Sequence, residues 1–461
     1  MGRLVVPLCH PPMFRPLRFL PLVAALAARG LAQTPATPAT PAPQKPGTPA
    51  AQPLPIAVSV DHQDAIYQQG ETVTYTIRTT PDSPVAPDAE VTWSISKDGV
   101  APIHNGKAKL ENGVAKVTGQ LAEPGFLLCR ATVTVDGKPV AALAGAGVDP
   151  LQIKPSLPVP DDFDAFWAAQ KKKLAAVPMQ AKLTPVTITS KKVEAFDAQI
   201  DALGKPVSGY FARPVERKPK SLPIILTVHG AGVRSSNLNA AIHWAENGAL
   251  AMDINAHGIP NGQPDTFYTD LANGALKDYR YEGRDSRETC YFLGMFLREV
   301  RALDFLCSQP EWDGRTVVVS GGSQGGFQAF AAAGIDSRVT FFAAGVPAGC
   351  DHSGMLAQRV AGWPKLVPVV DGKPDAKVLE AARYFDNVNF AARTKAKGAV
   401  VTTGFIDQTC PPTSVYAAYN ALPLTTKSIY NDIPSGHASG PAASAALNAG
   451  IMAHLQAMRG Q

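Results

Sequence analysis

A short β-branched run, Thr316 to Val319, passes directly into Ser320-Gly321-Gly322-Ser323-Gln324-Gly325-Gly326 and then into the helix-compatible stretch Phe327 to Ala333. A strand that turns into a helix across G-x-S-x-G presents the central serine at the tip of a sharp bend. Glycines two before and two after it leave room for strand and helix to approach each other. The bend strains the serine backbone, and the helix aims its first N–H groups and positive dipole end at any negative charge that develops nearby. The pattern predicts Ser323 as a nucleophile at the end of a sheet strand. The plainer alternative is a Gly-rich turn with an idle serine.

A serine hydroxyl near neutral pH needs a base within hydrogen-bond reach and an acid that orients the base. On an elbow of this kind both follow the serine in the chain, and only His352, His437 and His454 do so. His352 comes soon after the next strand, and His454 falls in the expected C-terminal helix, where a packed or exposed side chain is the ordinary outcome. His437, in Pro434-Ser435-Gly436-His437, follows the last expected strand on a loop able to reach back over the elbow. The run Ala399 to Thr402 leads into Gly404-Phe405-Ile406-Asp407, which makes Asp407 the candidate acid, with Asp432 as its competitor. An oxyanion needs backbone donors: the N–H of Gln324, and one from His229-Gly230-Ala231-Gly232 after the strand Ile224 to Val228, for which Ala231 is the candidate. His229 reads as a residue that shapes that loop, with a role as base as its alternative. Cys350-Asp351-His352 offers three ligand types in a row, but adjacent side chains seldom converge on one ion, so neither metal nor cofactor is expected.

The strand-loop-helix rhythm continues on either side of the elbow. Ala249 to Ile254, Val339 to Ala344 and Lys427 to Tyr430 are further short apolar or β-branched runs, and Arg287 to Cys307 places Phe292, Met295, Phe296, Val300 and Leu303 near one helical face. Parallel strands with crossover helices explain this alternation. Phe163, Phe166 and Trp167, on a helix expected to begin within Pro158 to Gln170, read as packing residues. Upstream the pattern differs: Thr72 to Arg78, Glu90 to Ser96, Ala115 to Gly119 and Phe126 to Val135 alternate between Gly-, Pro-, Asn- and Asp-rich turns, as in a small immunoglobulin-like β-sandwich with Trp93 and Cys129 in its core. A spacer or docking role is expected for that unit.

Of the 461 residues, the first 32 carry Arg3, Arg15, Arg18 and Arg29 and no acid. Arg15 and Arg18 precede the apolar run Phe19 to Ala28, and small residues at Gly30 and Ala32 suit cleavage before Gln33, the pattern of an export signal. The expected organisation is a signal peptide over 1–32, a Pro-rich linker over 33–55, a sandwich over 56–150 and the elbow-bearing α/β unit over 151–461. An exported chain would work in the periplasm or outside the cell. Once the signal is set aside, the remaining 39 basic residues nearly balance 38 acidic ones, which gives no reason to expect nucleic acid as partner. No apolar run reaches the roughly 18 to 20 residues of a membrane span. Five cysteines beyond Cys9, widely spaced, make no disulfide framework.

Three stretches together carry a resemblance: Gly321-Gly322-Ser323-Gln324-Gly325-Gly326; Tyr384-Phe385-Asp386-Asn387-Val388-Asn389-Phe390-Ala391; and Gly404-Phe405-Ile406-Asp407-Gln408-Thr409-Cys410-Pro411-Pro412 with Tyr416-Ala417-Ala418-Tyr419-Asn420. From about Pro158 onward the chain resembles the acetyl xylan esterase and cephalosporin C deacetylase family of α/β-hydrolases. The resemblance implies hydrolysis of acetyl or other small acyl esters on carbohydrates, with Ser323, Asp407 and His437 matching the family's triad. Two departures stand out: Asn255-Ala256-His257-Gly258 where the family usually has Arg-Gly-Gln, and Ala438 where it usually has Glu after the histidine.

The expectation is thus an exported serine esterase acting through an acyl-enzyme on Ser323, on an acylated carbohydrate or small ester, with self-association compatible with the sequence. Its rivals are a prolyl oligopeptidase-like serine peptidase, for whose propeller the upstream segment is too short, and a non-catalytic binding protein on a hydrolase scaffold.

Overall fold

A computed structural model describes residues 54–460. The expected signal peptide and nearly all of the linker lie outside the described residues. The first described unit is a two-sheet β-sandwich, antiparallel except for the two-residue strand Ile66–Tyr67, which pairs parallel with Gly147 and Val148. One sheet has three strands in the order Ile56–Val60, Thr72–Thr79, Val114–Gln120; the other has Ile66–Tyr67, Lys138–Val148, Gly125–Val135, Glu90–Lys97 and Pro102–Lys109. Alternate residues of both sheets, Val73, Tyr75 and Ile77 facing Ile95, Cys129 and Ala131, fill its interior, as strand periodicity requires. Trp93 is only partly buried against this core, lying across Gly106 of the neighbouring strand.

The second unit is built on a nine-stranded sheet. In spatial order its strands are Lys427–Asp432, Gly398–Gly404, Phe341–Gly345, Trp312–Gly322, Leu222–Val228, Leu250–Ile254, Val207–Pro214, Val193–Ile200 and Ala181–Pro185. The first six run parallel; the last three are antiparallel additions at one edge. That edge corrects the expectation of parallel strands alone. Its outermost strands alternate polar and apolar residues instead of forming the continuous apolar runs typical of strands buried on both faces.

Both faces of the parallel part are covered. Val317, Val319, Phe342 and Val401 point into one core with Phe292, Phe296 and Phe327, while the intervening Val318, Phe341 and Val400 point into another with Trp244, Ile451 and Leu455. The helices Phe163–Ala175, Tyr291–Cys307 and Gln324–Ile335 supply the first layer, Leu238–Glu246 and Pro441–Arg459 the second. The stripe Phe163, Phe166, Trp167 is packing, as its spacing indicated: Trp167 lies edge-on to Phe385 and Phe390, and its indole N–H donates to the Tyr384 carbonyl at 3.1 Å. No described helix is long and apolar enough to cross a membrane, and the five described cysteines are all free.

Parallel strands all end on the same side, and the crevice beyond their carboxyl ends is where such sheets bind ligands. The loops after Val228, Gly322, Gly404 and Asp432 all emerge there.

Candidate active site

The elbow strand runs to Gly322, and Ser323 stands between it and the helix Gln324–Ile335 with φ 55° and ψ −119°. That conformation is costly for a residue with a Cβ and persists only where its surroundings dictate it. The surroundings are close backbone contacts: a Cβ on Gly321 would lie 2.5 Å from the Val228 carbonyl oxygen, and one on Gly325 2.3 Å from it. The Ser323 N–H donates to Gly345 at 2.8 Å, and its carbonyl accepts from Phe327 and Ala348, both at 3.0 Å.

The loop after Asp432 returns across this turn. His437 Nε2 lies 2.9 Å from Ser323 Oγ, and its Nδ1 lies 2.8 Å from Asp407 Oδ2. A carboxylate can only accept, so Nδ1 carries the proton and Nε2 is free to accept from the serine hydroxyl. The Asp407 side chain is fully buried while that of His437 is a quarter exposed. Asp407 Oδ1 accepts from the backbone N–H of Thr409 at 2.8 Å and of Cys410 at 2.9 Å, so both carboxylate oxygens are engaged. Ser323, Asp407 and His437, far apart in the chain, are therefore brought together within hydrogen-bond distance.

Asp432, the competing acid, ends its strand, and its carbonyl accepts from Phe405 at 3.3 Å and Ser435 at 3.0 Å, shaping the histidine loop. The other two histidines are elsewhere. His352 is buried beside Phe327, and His454 stacks on Phe341 with Nε2 3.0 Å from Thr340 Oγ1. Asp407, Cys410 and His437 bring ligand-type atoms within 4.8 Å of one another. A cation there would have to displace the Asp407–His437 bond, and burial holds the Cys410 thiol well above its usual pKa.

Gln324 supplies the first amide of the helix after the elbow, and Gly230 approaches Ser323 closely enough that a Cβ on it would lie 3.5 Å from the serine Cβ. Ala231 follows, exposed. The Gly230 carbonyl accepts from Arg234 Nη2 at 3.0 Å and from His229 Nδ1 at 2.6 Å. A trans peptide points its N–H opposite its C=O, so these bonds turn the Ala231 N–H away from Arg234 and His229. His229 Nε2 in turn accepts from the Ala256 N–H at 3.2 Å. Both ring nitrogens are thus spent on loop geometry, and burial together with Arg234 lowers its pKa to about 4. His229 shapes the loop and does not face Ser323 Oγ in a hydrogen bond.

Sequence reasoning missed the layer beneath. Tyr279 donates its hydroxyl to Gln324 Oε1 at 2.6 Å, and burial pushes that phenol up to about 12, which keeps it a donor. His257 contacts the Gly232 carbonyl through Nε2 at 3.2 Å and the Tyr291 hydroxyl through Nδ1 at 2.7 Å. The sequence sign of this layer is the departure at Asn255-Ala256-His257-Gly258, which puts an imidazole against the Gly232 carbonyl.

Comparison with known proteins gives a consistent picture. A family model described as acetyl xylan esterase matches residues 149–441. The acetyl esterase Axe7A of Xylanibacter ruminicola is 31% identical over 390 residues, covering 81% of this chain and 84% of that protein. Among solved structures, the acetyl xylan esterase from Paenibacillus sp. R4 aligns with a TM-score of 0.58 at 29% identity, over 66% of this chain and 98% of that one. Acetyl xylan esterase 1 from Thermoanaerobacterium sp. JW/SL YS485 aligns with a TM-score of 0.53 at 21% identity, over 63% of this chain and 93% of that one, which is likeness of fold.

Proposed function

The chain belongs to the acetyl xylan esterase family and is a carboxylic ester hydrolase, and from that premise we propose that it removes acetyl groups from carbohydrate esters through an acyl-enzyme on Ser323. The observation that carries the reading is the continuous chain of contacts from Ser323 Oγ through His437 to Asp407, at 2.9 Å and 2.8 Å. His437 Nε2 takes the serine proton as Oγ attacks the ester carbonyl, and Asp407 holds Nδ1–H while the imidazolium exists. The negative oxygen of the tetrahedral intermediate is met by the N–H groups of Gln324 and Ala231. Collapse breaks the bond to the sugar oxygen, which leaves with the proton from His437 Nε2. Water then repeats the sequence on the acetyl-serine, giving acetate and free Ser323.

The test is release of acid from acetylated xylan beside a panel of acetyl, butyryl, feruloyl and methyl glucuronoyl esters. Acetyl esters should lead; faster turnover of feruloyl or glucuronoyl esters would replace the acyl assignment. Export belongs to the same proposal. It is supported by Arg15, Arg18 and the apolar run after them, and N-terminal sequencing of the protein from its native host should begin near Gln33.

A further inference from the structure

The loop that carries Asp407 links the strand Gly398–Gly404 to the helix Pro412–Asn420, and the sandwich touches it at its start, middle and end. At the start, the Phe126 ring meets Phe405 edge-on, with centroids 5.0 Å apart. Gly145 lies so close to the same residue that a Cβ would stand 2.2 Å from the Phe405 carbonyl oxygen. In the middle, Arg130 Nη2 donates to Gln408 Oε1 at 3.2 Å. At the end, the Thr413 hydroxyl donates to Asp98 Oδ1, which also accepts the Phe126 N–H at 2.8 Å. Asp98 is 3% exposed, and burial raises its pKa. The same helix is tied further along, where Asn420 Nδ2 donates to the carbonyls of Pro150 at 2.9 Å and Ile153 at 2.8 Å.

Only part of the loop's support is internal to the α/β unit: Phe405 N–H to Asp432, Ile406 N–H to Ser435, and the Thr409 carbonyl accepting from Trp363 at 2.7 Å. A cleft of about 330 Å³ separates the sandwich from the rest of the loop, with Asp407 and Gln408 on one wall and Ser94, Ser96 and Arg130 among the residues on the other. The loop is therefore held by discrete points on either side of Asp407 rather than by a continuous interface. Because the Asp407 side chain takes two of its hydrogen bonds from its own loop, at Thr409 and Cys410, moving the loop moves the carboxylate.

We propose that the sandwich is a brace for the catalytic acid, with Asp98, Phe126 and Gly145 as positioning residues that set the Asp407 loop against His437. The proposal rests on the reading of Asp407 as the acid of the triad. It gives the sandwich a part in turnover of every ester, small ones included, in place of the spacer or docking role expected from sequence. Gly145→Ala inserts a methyl where a carbonyl oxygen already stands, so strand and loop must separate by roughly 1 Å, a displacement that can cost about 100-fold in rate. Thr413→Val keeps the shape but removes the hydroxyl from Asp98, and Thr413→Ser restores it.

The experiment measures kcat and KM of the full chain on a soluble aryl acetate for these variants, alone and combined with Asp407→Asn, after cooperative unfolding shows each to be folded. Gly145→Ala should lower kcat at least 10-fold with KM within about threefold of wild type, Thr413→Val should act in the same direction, and Thr413→Ser should recover. In the Asp407→Asn background neither change should lower kcat by more than about threefold further, because coupled residues are not additive. A brace that merely stabilised the fold would lower the unfolding midpoint and leave that coupling absent. Folded variants with wild-type kcat, or with the same loss in both backgrounds, would overturn the brace while leaving the triad in place. An Asp407→Asn enzyme with wild-type kcat would overturn the acid assignment and the brace with it. Should Gly145→Ala fail to fold, the Thr413 pair carries the same test.

Discussion

The chemistry proposed at Ser323 depends on a few atoms that no single stretch of sequence contains. Ser323 was legible as the candidate nucleophile because its strain requires glycines at fixed offsets, and His437 as the candidate base because few histidines follow it. Asp407 was legible as the candidate acid because it follows the preceding strand. Arg234, Tyr279 and His257 were not, since their contacts are with the Gly230 carbonyl, the Gln324 side-chain amide oxygen and the Gly232 carbonyl, and no pattern marks such partners. Ser323→Ala should keep the fold and lose on the order of a millionfold in kcat, measured with contamination-controlled protein, because the members of a triad act as a unit. Asp407→Asn should cost about ten-thousandfold, since an amide facing Nδ1 favours the wrong imidazole tautomer. Asp432→Asn, whose site contribution is a backbone carbonyl, should turn over acetyl esters at close to the wild-type rate in the same assay.

Five of the six parallel strands were visible as apolar or β-branched runs because their central residues are buried on both faces, which leaves no polar alternation to confuse them, whereas the edge strand Lys427–Asp432 is only partly buried and showed through Ile429 and Tyr430. Val193–Ile200 and Val207–Pro214 were missed because Glu194, Asp197, Gln199 and Arg213 interrupt their apolar residues, and Pro102–Lys109 because it lies largely exposed. The elbow has little tolerance for added atoms. At Gly325 the backbone of the helix passes so near the Val228 carbonyl that strand and helix must part to admit a methyl. Gly325→Ala should therefore lower stability by about 1 to 3 kcal/mol, as overpacking does, and remove most activity by displacing both Ser323 and the Gln324 N–H. Chemical denaturation and aryl acetate hydrolysis measure the two effects, and a stable, active Gly325→Ala protein would refute this account of the turn.

Over the whole molecule, the association of sandwich and α/β unit was hidden from the sequence because it is made by pairs such as Asp98 with Thr413, 315 residues apart. Burial of polar groups also sets how stability responds to pH. His257 and His352 are both buried, and desolvation holds their pKa values at about 3 and about 4, against roughly 6.5 in an unfolded chain. Between those values the unfolded chain binds more protons, so their contribution is present above about pH 6.5 and is lost as pH falls toward 4, each with a slope of up to about 1.4 kcal/mol per pH unit. Urea titrations of wild type and His352→Leu between pH 4.5 and 7 should show the shallower dependence in the variant, and parallel curves would mean that His352 is not held neutral. The central claim, an ester hydrolase working through Ser323, is tested most directly by intact-mass and peptide mapping of the full chain after exposure to a fluorophosphonate. The account requires one adduct, on Ser323, appearing in step with loss of acetyl ester hydrolysis and absent from Ser323→Ala. An unlabelled protein that still hydrolyses acetyl esters, or an adduct on another residue that abolishes activity, would contradict it.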